Sequence, residues 1–219
     1  MSGPGGAPRA KRALQRRLSG DYEVDLWGGD ADWVDTLAAL STAFLRVHID
    51  GLRHLPVDGP VVMVGNRRLG LGEPVAVSVG IRRAAGRMVR PVGVPDFAPV
   101  GPILRRLGGV PESPAEIRSL LAAGQLVLVP LTAQRRAGVA GTVSPDLLAP
   151  ALETGAVVLP VAVVGGELSG AWRIAIGEPL ARVSHLRRTP LAAAELADRA
   201  HAGVQGLLDD VFPPRWSLG

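Results

Sequence analysis

Two pairs of adjacent arginines follow apolar runs that read as core strands: Arg67-Arg68 after Val61–Val64, and Arg135-Arg136 after Leu126–Val129. A guanidinium is planar, presents five donors and stays protonated at any working pH, so its chemistry is anion binding and not proton abstraction. The acid nearest the first pair is Glu73, with Glu112 further along. Imidazoles that could take a proton are few: His48, His54, His185 and His201. None has an Asp five positions later; His54 has Asp58 four residues on, but that pair precedes the core strand in a turn-rich stretch. Cysteine is absent, which excludes disulfides, thiolate ligands and a cysteine nucleophile, and no two histidines stand at zinc-ligand spacing. There is no Gly-x-Ser-x-Gly elbow, and the lone lysine, Lys11, lies near the N-terminus, so neither a hydrolase nucleophile nor a phosphate-loop lysine can be placed. Gly70-Leu71-Gly72 is too short for a dinucleotide fingerprint. No metal and no cofactor are expected.

The elements that would position these residues read as an α/β chain. Residues 1–29 are rich in Gly, Pro and Arg, with RAKRALQRR from Arg9 to Arg17, and are expected to form a basic flexible arm ahead of one domain over 30–213. A helix is expected from Asp30 or Asp32, with Trp33, Leu37, Leu40, Phe44 and Val47 as one apolar stripe that either packs on the core or lies in a membrane interface. Val61–Val64 is a buried strand ending in Gly65-Asn66. Residues 75–87 suit a helix and Arg90–Val94 a strand. Val100–Leu107 reads as a short helix, and Ser113 with Glu116 forms a capping box for a helix that Gly124 ends. Leu126–Val129, Gly155–Gly165 and Trp172–Gly177 read as strands and Leu191–Val211 as an Ala-rich helix.

Composition narrows the classes. With 219 residues and 47% hydrophobic content the chain can bury a full core. The net charge is +4, and 23 of its 24 basic residues are arginine. Its eight aromatics do not interleave with the basic residues as single-strand binding platforms do, so nucleic-acid binding would rest on charge alone and is not expected. The longest apolar runs, such as Ala156–Val164, fall short of the ~20 residues a bilayer span requires. The N-terminus lacks the apolar stretch of a secretory signal. A cytoplasmic setting is expected, peripheral on the cytoplasmic membrane face if the arm or the first helix binds anionic headgroups.

The order of blocks resembles the lysophospholipid / glycerol-3-phosphate acyltransferase family from about Asp32 to Val211. In that family the strand matching Val61–Val64 ends in Asn-His-x-x-x-x-Asp, where the His takes a proton from the acceptor hydroxyl and the Asp orients it. Here Asn66 matches, the His slot is Arg67, and the Asp slot is Gly72 with Glu73 one residue late. Leu107-Gly108-Gly109-Val110 is similar to the family's substrate-binding loop. Where the family carries Pro-Glu-Gly-Thr-Arg to hold glycerol-phosphate, the chain reads Pro130, Leu131, Thr132, Ala133, Gln134, Arg135.

The resemblance implies a glycerolipid acyltransferase-like domain with a mixed, mostly parallel central sheet flanked by helices. It also implies degenerate catalytic positions, Arg67, Gly72 and Glu73, and a substrate-binding set of Asn66, Arg67, Arg68, Gly109, Pro130, Leu131, Thr132 and Arg135. With the base, the orienting acid and the acceptor-binding Glu all replaced, the expectation is a family protein impaired in or devoid of catalysis that binds lipid, acyl carrier or a partner. The alternatives are an active acyltransferase, using acyl-CoA or acyl carrier protein as donor with a displaced acid such as Glu73 or Glu112, and an electrostatic membrane-surface binder. For the arginines of the two loops, the expectation is one shared cleft holding an anion, a lipid phosphate or the phosphates of a thioester carrier. Against it stands an Arg67–Glu73 pair with the other arginines in solvent.

Overall fold

A computed structural model describes residues 24–68, 72–95, 97, 100–166, 169–180 and 189–211, together with Gln15. The strands are β1 (Arg46–Asp50), β2 (Val61–Gly65), β3 (Val89–Pro91), β4 (Leu126–Pro130), β5 (Val157–Gly166) and β6 (Ala171–Ile176). They form one sheet in the order β1-β6-β5-β2-β4-β3, parallel throughout except for the β5–β6 pair. Helices α1 (Ala31–Leu40), α2 (Gly72–Ala85), α3 (Val100–Arg106), α4 (Pro114–Ala122), α5 (Pro145–Thr154) and α6 (Pro190–Val211) complete the chain. This is the expected mixed, mostly parallel α/β architecture.

The central strand explains the layering. Both faces of β2 are covered, so it is an unbroken apolar run and not an alternating one. Val62 and Val64 join a cluster with Ile117, Leu121, Leu148 and Leu208 from α4, α5 and α6. Val61 and Met63 face the other way, onto Ala76, Val77 and Ile81 of α2 and Ala38 of α1.

The first helix is shorter than its apolar stripe. It stops at Leu40, a 3-10 turn covers Ser41–Ala43, and β1 begins at Arg46, so Val47 belongs to a strand. The hydroxyls of Ser41 and Thr42 bond back to the carbonyls of Ala38 and Ala39, which competes with helix continuation. Arg83 takes up the same helix end, donating to the carbonyls of Ala38 and Leu45 and to Ser41 Oγ. The face that α1 buries is Val34, Thr36 and Ala38, while Leu40 and Phe44 are exposed. The helix α5 was not among the expected elements; Pro145 at its start is favourable, but Pro150 inside it disguises the run.

Residues 24–29, the last part of the basic arm, pack on the domain. Trp27 lies against the α4–α6 cluster and donates to Ser119 Oγ. Asp25 pairs with Arg90 of β3, whose side chain is buried and also contacts Gln125 and the Trp27 ring. The rest of the arm, apart from Gln15, lies outside the described residues. Burial pushes the Asp25 carboxyl up, but the hydrogen bond and charge of Arg90 and the amides of Gly29 and Trp27 outweigh it and hold it below its ordinary value. A lowered folded-state value means stability that is present above the unfolded range near ~3.9 and lost as pH falls through the folded value. Asp25→Ala is therefore expected to cost about 3 kcal/mol by leaving Arg90 uncompensated. In urea unfolding from pH 7 down to pH 3, the parent should lose more stability than Asp25→Asn does.

Candidate functional site

Parallel register brings the site together. Gly65 ends β2 level with Pro130 of β4 on one side and Val161 of β5 on the other. The chain segments that leave these strands run side by side: Leu131 N donates to Gly65 O at 2.8 Å, and Gln134 N to Arg67 O at 3.0 Å. The loops carrying Asn66–Arg68 and Pro130–Arg136 therefore meet at one end of the sheet, as the resemblance implied. This is the C-terminal rim, where open α/β sheets place their ligands.

Asn66 holds that rim. Its Nδ2 donates to Val163 O at 2.9 Å and its Oδ1 accepts from Val163 N at 2.6 Å. β5 continues past the end of β2, and the Asn66 amide stands in for the ladder bonds that β2 no longer supplies.

From Asn66 onward the side chains diverge. Arg67 is half-buried and lines a cavity of about 30 Å³ with Gly65, Asn66, Glu73, Gly93 and Pro130. Arg68 and Arg136 are exposed and line a different depression beside Gly138 and Gly165. The two hollows share only Asn66 and Val163. Arg135 is exposed and lines neither. One shared arginine cleft does not form.

Glu73 enters the same cavity as Arg67. It sits in the first turn of α2, is 5% exposed, and has no hydrogen-bond or ion-pair partner among the described residues. No Arg67–Glu73 ion pair forms. Glu112 approaches from the far side: a Cβ added to Gly93 would lie 3.6 Å from both Arg67 Nη1 and Glu112 Oε2. Gly93, at φ +77, lets the chain turn between them without a side chain in the way.

The other expected site residues disperse. Leu131 is 1% exposed and packs in the core beside Val64 and Val129, which accounts for an apolar residue at that position. Thr132 is exposed and bonds across its own loop to Thr142. Gly72 opens α2. Gly109 lines a separate apolar groove of about 320 Å³, formed with Val34, Leu37, Phe44, Val79, Val94 and Leu104 among others. This groove was not anticipated, because its walls come from α1, α2 and α3, remote in sequence; the apolar stripe on α1 was its one visible trace. Groove and cavity share Pro74, Pro91 and Val94.

The three described histidines work elsewhere. His54 contacts the carbonyl of Ile176 and His201 that of Gly141, while His48 sits beside Asp50 on an exposed strand. His185 lies outside the described residues. Among the described residues there is no cluster of potential metal ligands, and no helix is long and apolar enough to cross a membrane.

The crystal structure of the 1-acyl-sn-glycerophosphate acyltransferase of Thermotoga maritima superposes on this chain with a TM-score of 0.59, over 95% of this chain and 88% of that one, at 17% identity. The fold is acyltransferase-like. No family model matches the chain. Proteins of Mycobacterium tuberculosis and Mycobacterium bovis, named only as uncharacterized, are 24% identical over 89% of this chain and 71% of their own length. One from Mycobacterium leprae is 25% identical over 89% of this chain and 69% of its length.

The Asn66 bridge generates a test. Asn66→Ala leaves the Val163 N–H and C=O without partners, which should cost about 2–4 kcal/mol in urea unfolding.

Proposed function

We propose that this chain is a divergent homologue of the glycerophosphate acyltransferases that has lost general-base catalysis and binds a single-chain lipid. One observation carries the reading: an apolar groove adjoins a small cavity at the C-terminal rim of an acyltransferase-like sheet, and the charged side chains lining that cavity are Arg67 and Glu73. In the family the resemblance names, the position of Arg67 belongs to the histidine that takes the acceptor's proton. A general base contributes ~10²- to 10⁴-fold to rate, and a guanidinium cannot supply it.

The groove supports the lipid half of the reading. It falls in the size range of small-molecule sites, its walls are almost wholly apolar, and Leu40, Phe44 and Val75 at its edge are exposed. Apolar side chains left open around a concavity suit an aliphatic chain, which gains about 0.8 kcal/mol for each buried methylene. The same exposed residues would let the protein take its ligand from a membrane surface on the cytoplasmic side.

Glu73 favours a second reading, an active acyltransferase with a displaced acid. Its side chain lines the cavity beside Arg67 and has no protein partner among the described residues. That reading requires thioester turnover by the parent that Glu73→Gln abolishes.

The lipid reading is tested by titrating the full chain with a fluorescent single-chain lipid. Val75 is 42% exposed, so Val75→Trp fills the groove with little strain on the core. It should weaken binding by about tenfold or more, whereas removal of residues 1–23 should leave binding unchanged. Loss of binding on removing residues 1–23, with Val75→Trp binding like the parent, would favour a surface binder acting through the arm.

A further inference from the structure

The cavity at the end of β2 holds two charged side chains that ignore each other. Glu73 is 5% exposed yet has no hydrogen-bond or ion-pair partner among the described residues. An acid in the first turn of a helix suits the dipole, but an exposed one would do so equally well. Burying a carboxylate without a donor is costly, so its hydrogen bonds must come from water or a ligand in the cavity it lines. The Arg67 side chain, half-buried across the cavity, is likewise without a protein partner among the described residues.

Size and charge decide what fits between them. A cavity of about 30 Å³ has room for about two water-sized groups, whereas a phosphate brings five heavy atoms. The charges near it are one guanidinium against two carboxylates, Glu73 in the wall and Glu112 beyond Gly93. Arg68 and Arg136, which would attract a phosphate, line the other hollow. A hydroxyl meets every requirement: its O–H donates to Glu73, its oxygen accepts from Arg67, and it is small and uncharged. Ser78 adds a second orphan, since its Oγ is buried without a hydrogen-bond partner and lines the groove close to where the cavity joins it at Pro74.

We infer that the Arg67–Glu73 cavity seats the uncharged hydroxyl of a single-chain lipid whose head carries no phosphate, of which a monoacylglycerol is the type. The inference rests on the reading that the groove takes a lipid chain, and it makes Glu73 the residue that sets head-group selectivity.

Calorimetric titration of the full chain with monooleoylglycerol, oleoyl lysophosphatidic acid and oleic acid, each below its micelle concentration, tests it. The parent should bind monooleoylglycerol about tenfold or more tightly than either anionic lipid. In Glu73→Gln, shown to be folded by its thermal unfolding, that preference should shrink by about tenfold, mostly through tighter binding of lysophosphatidic acid. Equal binding of neutral and phosphate-bearing lipids by the parent overturns the inference and leaves lipid binding standing, and so does a preference that survives Glu73→Gln. Binding of none of the three overturns both. The parent's own preference decides the matter even where the variant does not fold.

Discussion

Everything at the candidate site follows from where β2 stops. Gly65 is its last residue and lies level with Pro130, the last residue of β4, so two chain segments leave the sheet together, each carrying an arginine pair, while β5 runs on beside them. Asn66 ties the rim to Val163 by two bonds from its side-chain amide to the Val163 main chain. Arg67 turns into the cavity with Glu73, while Arg68 turns to the depression with Arg136. A one-residue slip would exchange them. Arg67, next to the clamp, is thus the guanidinium of the pair that lines the cavity.

The proton chemistry then separates this site from the one its frame resembles. Activating a hydroxyl requires a group that can accept a proton near neutral pH, and arginine carries its own at every pH at which the chain would stay folded. What Arg67 offers is a fixed donor. Glu73 offers an acceptor, and no described imidazole lines the cavity. Such a pair can hold a hydroxyl in place, which is binding chemistry.

The succession of strands along the chain and the N-cap at Ser113 were legible in the sequence because each rests on local signals, and the meeting of the two loops was implied by the family resemblance. Three things were not. The apolar stripe from Trp33 to Val47 spans a helix, a turn and the start of a strand, since Ser41, Thr42 and Arg83 end the helix with bonds that periodicity does not register. The arginine pairs were expected to share a cleft because the resemblance brings both strand ends to one pocket, whereas consecutive side chains at a strand end diverge. The groove was invisible because its walls are joined only by tertiary packing. Arginine's abundance also has a structural share that composition could not reveal: Arg87 gathers the carbonyls of Pro56, Gly59 and Gly124, as Arg83 does those of Ala38 and Leu45.

The proposed loss of general-base catalysis turns on two positions of an acyltransferase-like fold, Arg67 and Gly72, where the family the chain resembles carries its His and Asp. The most direct measurement is acyl-thioester turnover in the presence of a hydroxyl acceptor, by the parent and by Arg67→His combined with Gly72→Asp. The account predicts no turnover above the enzyme-free rate for the parent and a measurable gain for the double variant. Turnover by the parent that equals or exceeds that of the double variant would contradict it.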